Sequence, residues 1–168
     1  MDEVASPAPF GDWIGSSEHR TWATLYRTVT QLPVALHRHL QAEAGMGLLE
    51  YSVLFCLAQS DERGLRLSDL ATEVQCELSR LSHLISRMER DGLVERRRDA
   101  LDARATRAIL TQRGADEFVR ASPGHLAEIR RLVFAPLDDG EHEELERLLR
   151  KISNAPAPSV CSADAATP

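Results

Sequence analysis

The stretch Leu78–Arg90 constrains the fold more than any other part of the chain. Leu81, Leu84, Ile85 and Met88 recur at three- and four-residue intervals, which makes them one stripe of a helix. Ser79, His83, Ser86 and Arg90 fall opposite that stripe, with Arg80 and Arg87 on its flanks. Such a helix buries one side and offers hydrogen-bond donors on the other. It stops at Asp91-Gly92, where glycine can take a left-handed terminal conformation. Two short strand-like runs follow, Leu93–Arg98 and Ala105–Leu110, joined by the polar stretch Asp99–Arg104 as a hairpin or wing. Upstream, Ser68 is placed to cap a short helix that buries Leu70, Ala71 and Val74, and Gln75–Glu77 form the turn between the two helices.

Longer apolar-periodic segments flank this unit. Trp22, Leu25, Tyr26, Val29, Leu36 and Leu40 mark a first helix, which Pro33 is expected to kink or divide. Gly45-Met46-Gly47 ends it, and Leu49, Val53, Leu54 and Leu57 mark a second helix that stops at the polar run Ser60–Gly64. Downstream, Thr111 is placed to cap a fifth helix, with an interruption expected at Pro123-Gly124 before Leu126, Ile129, Leu132 and Val133. Asp138 and Glu141 have capping-box spacing and open a last helix through Leu145, Leu148, Leu149 and Ile152. The ends, 1–17 and 154–168, have the composition of disordered segments. The architecture expected is therefore mainly α with a small β-wing. A winged helix-turn-helix module at about 48–114 lies between terminal helices at about 18–44 and 112–153, in one domain over 18–153. Apolar stripes on the terminal helices would be exposed in a monomer, so pairing of two chains is the simplest way to bury them.

A net charge of -6 argues at first against nucleic acid, because cations that displace counterions dominate such binding. The distribution reverses the inference. Residues 63–113 carry 11 arginines against 8 acids, while the segments on both sides are acidic. Arginine's planar fork suits phosphates and guanine edges. Arg96-Arg97-Arg98 add to the phosphate-facing side of the wing or, on the plainer reading, form a solvated strand edge. Cys56, Cys76 and Cys161 are odd in number and widely spaced, which fits neither a disulfide framework nor a zinc site and points to a reducing compartment. None of the six histidines forms an i, i+4 ligand pair, and the chain has no Gly-rich phosphate loop or nucleophile elbow. Neither a metal, a cofactor nor catalysis is expected. No apolar run is long enough to span a bilayer, so the expected location is the cytoplasm.

Taken in order, Leu70-Ala71, the run Leu78–Leu84, Gly92-Leu93-Val94, Asp102-Ala103-Arg104 and Leu110-Thr111-Gln112-Arg113-Gly114 resemble the signature of the MarR family, bacterial regulators named for multiple antibiotic resistance. The similarity covers about 18–153 and is most specific over 67–114. It implies a triangular homodimer that sets two reading helices in successive major grooves of duplex DNA and two wings against flanking minor grooves. The operator would be near-palindromic, with half-sites about one helical turn apart. Base readout would fall to Ser79, Arg80, Ser82, His83 and Arg87, backbone contacts to Arg97 and Arg98, and a minor-groove or phosphate contact to Arg104. Asp102 would brace the wing by pairing with an arginine rather than meet DNA. The chain departs from the family pattern at the helix-turn-helix corner. Gln75, Cys76 and Glu77 stand where members often have Gly, an apolar residue and Ser.

The resemblance further implies repression relieved by a small aromatic or phenolic ligand held between the reading module and the dimer helices. Trp22, Tyr26 and His39 on the first helix and Tyr51 and Phe55 on the second are the candidates, with His37 and Arg38 beside them. Their plainer reading is core and interface. Cys56 and Cys76 are weaker candidates for redox sensing. The rival functional class is a winged helix turned into a protein-interaction module without DNA binding. That reading needs an apolar or acidic outer face on the reading helix, and here the face is Ser, His and Arg.

Overall fold

The computed structural model describes residues 12–60, 64–99, 102 and 105–153. The chain divides into two compact units, Met1–Ile129 and Arg130–Pro168. In the first, α1 (Ser17–Ala44) and α2 (Leu48–Ala58) precede a short strand β1 (Leu65–Arg66) and α3 (Leu67–Glu73). Helix α4 (Leu78–Arg90), strands β2 (Val94–Arg98) and β3 (Thr106–Leu110) and α5 (Gln112–Ile129) complete it. The second unit begins with a π-helical turn, Arg130–Phe134, followed by α6 (Asp139–Ser153).

The predicted stripe of α4 is the centre of the core. Leu81, Ile85 and Met88 are fully buried and Leu84 nearly so, packed with Leu40 of α1, Val53, Leu54 and Leu57 of α2, Leu70 of α3 and Val94 of β2. Each such side chain withdrawn from water contributes roughly 1.5–3 kcal/mol. Gly92 has φ 73, the left-handed conformation expected after α4. Thr111 caps α5 as expected. Its Oγ1 accepts the Gly114 N–H at 3.0 Å and donates to the carbonyls of Gly92 and Leu93 at 2.7 and 3.0 Å, which ties the start of α5 to the exit of α4. In the second unit, Asp138 and Glu141 form the expected reciprocal cap, with N···O distances of 3.0 and 2.9 Å.

Four local expectations change. The helix α3 starts one residue earlier than its proposed cap: Arg66 is the N-cap, and Ser68 Oγ instead donates to Asp69 Oδ1. Pro33 does not divide α1, nor does Pro123 interrupt α5. Proline removes the bond to the carbonyl four residues back, and those residues, Val29 and Val119, both lie on the exposed side of their helices. The run through Leu132 and Val133 is a π-turn rather than a continuation of α5. The strand β1 was not anticipated. It pairs antiparallel with β3 through Leu65↔Ala108 and Arg66↔Arg107, giving a three-stranded sheet in the order β1-β3-β2. Two residues are too few for any period-2 pattern to show in a sequence.

Candidate nucleic-acid interface

The outer face of α4 is built as its spacing required. Ser79, Arg80, His83, Arg87 and Arg90 are exposed and Ser82 is half-buried, while the opposite stripe is in the core. Arg87 and Arg90 lie in the last turn, where cations favour the negative end of the helix dipole. Charged pairs fix both flanks of the helix. On one flank, Arg87 Nη2 meets Glu50 Oε1 of α2 at 2.8 Å. On the other, Arg96 of β2 reaches Glu89 Oε2 at 2.7 Å and donates to Ser86 Oγ at 3.1 Å. Arg96 therefore ties β2 to α4. Arg97 pairs with Glu95 on its own strand at 2.7 Å, an exposed contact of little energetic weight. Arg80 and Arg98 make no ion pair with any described residue.

The hairpin is anchored by one acid that the sequence did not single out. Asp99 is almost completely buried, and its Oδ2 receives both Arg66 Nε at 3.0 Å and Arg107 Nε at 2.6 Å. Arg66 and Arg107 face each other across the β1–β3 ladder, and Asp99 compensates two like charges that the register forces together. Its hydrogen bond and its charge push the Arg66 guanidinium further up from its ordinary value. Arg107 Nη1 also donates to the Gly64 carbonyl at 2.7 Å. Asp102, the expected brace, meets this knot through its backbone, whose N–H donates to Asp99 Oδ1 at 3.1 Å. Arg104 lies outside the described residues.

A cavity of about 540 Å³ opens beside the helix-turn-helix, lined by Tyr51, Phe55 and Cys56 of α2, Glu73–Gln75 at the end of α3, and His125 and Leu126 of α5 among others. Tyr51 and Phe55 were expected at a ligand site and are brought together here. Trp22 and Tyr26 are not among its lining residues; they stack on each other on the exposed side of α1, ring centroids 5.9 Å apart. His39 bonds the Gly124 carbonyl through Nε2 at 3.1 Å. His125 was not foreseen. Its ring packs 4.3 Å from that of Tyr51, it is buried, and its Nδ1 has no partner among the described residues. Burial, then the neighbouring His39, push its pKa down. The Cys56 thiol is pushed up by burial and by Glu73, which works against a reactive thiolate. Among the described residues no group of three or more His, Cys, Asp or Glu is placed to hold a metal ion, and no helix is long and apolar enough to cross a membrane.

A donor-rich helix presented by a tight turn, with an anchored hairpin beside it, defines the winged helix-turn-helix class of regulators. Comparison with known proteins narrows this. The MarR family model matches residues 48–106. The DNA-bound crystal structure of Sco3205, a MarR family transcriptional regulator from Streptomyces coelicolor, is similar with TM-score 0.78 and 35% identity, over 89% of this chain and 94% of that one. AbsC, a MarR family regulator from the same organism, is similar with TM-score 0.76 and 33% identity, over 82% and 93% of the two chains. YkoM of Bacillus subtilis (strain 168), described as an uncharacterized HTH-type transcriptional regulator, is 25% identical over 133 residues, 79% of this chain and 82% of that one. The chain belongs to the MarR family of transcriptional regulators.

Proposed function

We propose that this regulator is a homodimeric repressor that reads a near-palindromic operator in duplex DNA and is released by a small aromatic or phenolic ligand. The exposed Ser79, Arg80, His83 and Arg87 on a helix whose other side is fully buried carry the reading. Arginine forks onto guanine edges and phosphates, and the serines and His83 add less selective contacts. Arg97 and Arg98 on β2 and Arg104 at the wing supply backbone contacts, and Asp102 helps to brace that wing. The DNA bound to Sco3205 favours the same mode for this chain. Support for a dimer comes from exposed apolar residues at helical spacing, Trp22, Tyr26 and Val29 on α1 and Leu148, Leu149 and Ile152 on α6. Ligand control is supported by the cavity against Glu73–Gln75, since anything filling it touches the turn that aims α4. Tyr51, Phe55 and the unpartnered His125 offer a planar guest ring contacts and one polar anchor.

The test is selection of bound fragments from a random duplex library, followed by titration of the preferred site across a salt series. Wild type should enrich an inverted repeat, with affinity falling steeply as salt rises. Arg80→Ala and Arg104→Ala should each weaken binding, Arg80→Ala with relaxed base preference and Arg104→Ala with a salt slope smaller by about one unit. Absence of enrichment at any salt would instead favour a protein-interaction module.

A further inference from the structure

The contact between Arg87 and Glu50 joins residues 37 positions apart in the chain. Glu50 is held rigidly and from several sides. While Oε1 meets Arg87, Oε2 accepts the Gly47 N–H at 2.7 Å and so caps the first turn of α2. A β-carbon on Gly47 would stand 3.2 Å from that oxygen and 3.1 Å from His37 Cε1, so the corner is tightly filled. His37 Nδ1 accepts the next amide, Leu48 N–H, at 3.2 Å. The Glu50 side chain is 17% exposed against 55% for Arg87. Glu50 is sheltered and held by a second hydrogen bond; Arg87 is the more exposed partner and its side chain makes no other hydrogen bond to a described residue.

We infer that Glu50 is a specificity-determining residue, which stands in for a phosphate on Arg87 and withholds that guanidinium from duplexes of arbitrary sequence. This rests on the reading of α4 as the DNA-contacting helix. A phosphate offers a guanidinium much the same charge and hydrogen bonds as a carboxylate. Transfer of Arg87 from Glu50 to a backbone phosphate is therefore nearly even, and it leaves a sheltered carboxylate uncompensated beside a polyanion. Only a base edge that adds paired acceptors at the right place shifts the exchange. Discrimination arises because a wrong duplex gains nothing from Arg87 while a matching base edge does.

Glu50→Gln tests this, because the amide oxygen can still accept the Gly47 N–H while the charge is gone. Full-length wild type, Glu50→Gln, Arg87→Ala and the double variant are titrated across a salt series against a fluorescent random-sequence duplex and against the best selected duplex. Glu50→Gln should bind the random duplex roughly tenfold more tightly at low salt, with a slope steeper by about 0.9 for one added phosphate contact. The ratio of selected to random affinity should fall by the same factor, and Arg87→Ala should abolish the gain. A gain that persists without Arg87 is charge removal alone and overturns the inference, as does no gain. Should Arg87→Ala leave both duplexes unaffected, the reading of α4 at this position falls with it. If circular dichroism shows α2 lost in Glu50→Gln, Glu50→Asp replaces it, keeping an acid at the helix start while shortening its reach, with the same direction expected.

Discussion

At the turn between α3 and α4, Gln75 holds φ 50 without being glycine. The left-handed region costs an ordinary residue roughly 1–2 kcal/mol, a cost that glycine does not bear. Gln75→Gly should stabilise the protein by about 1 kcal/mol, the relief partly offset by a freer unfolded chain, and urea unfolding would measure it. A stability loss would mean that Gln75 makes good its strain through contacts of its side chain. Asp99 matters for a different reason, because a single buried carboxylate compensates two guanidiniums. Asp99→Asn keeps the shape and removes that charge. Hydrogen exchange should then accelerate in β2 and β3 while α2 and α4 keep their protection; uniform acceleration would show that the knot stabilises the whole module instead.

The elements hold together through close approach as much as through apolar area. Gly114, at the start of α5, lies so near β2 that an added β-carbon would stand 2.1 Å from the Leu93 carbonyl oxygen. Gly114→Ala must push α5 away from the exit of α4, at a cost of roughly 2 kcal/mol or more in thermal or denaturant unfolding. A neutral result would mean that the α4–α5 junction is free to shift. The same junction transmits position, because Thr111 binds the Gly92 and Leu93 carbonyls while Arg96 binds Glu89.

For the whole molecule, the exposed apolar faces of α1 and α6 set the first expectation. Light scattering should give twice the 18.7 kDa chain mass, and Trp22→Glu or Ile152→Asp should shift it toward the monomer. Persistence of the dimer in both would place the interface elsewhere. Buried His125 sets the second. Its pKa in the folded state lies below the ordinary 6.5, so below that pH the unfolded chain takes up a proton that the folded chain refuses. The stability it contributes is present above about pH 6.5 and is lost as pH falls through the folded value. Denaturant midpoints between neutral and acidic pH should drop more steeply in wild type than in His125→Phe, which keeps a ring against Tyr51; equal slopes would show another group in control.

Much of this molecule was legible in the residues because its signals are local. The α4 stripe, the donor face opposite it, the glycine after it and the Thr111 and Asp138 caps each depend on side chains within a turn or two of one another. Whether Pro33 and Pro123 divide their helices is not answered by spacing, because the cost of a proline depends on what satisfies the carbonyl four residues back. What joins distant segments was decided by tertiary structure alone. The strand β1 exists because β3 offers it partners, Asp99 gathers two arginines that converge on it across a sheet, and His125 reaches Tyr51 from another helix. Charge on the α4 flank follows the same rule. Spacing places Arg87 on a flank of α4, but only tertiary packing gave it Glu50, since an ion pair between remote residues has no periodicity to read.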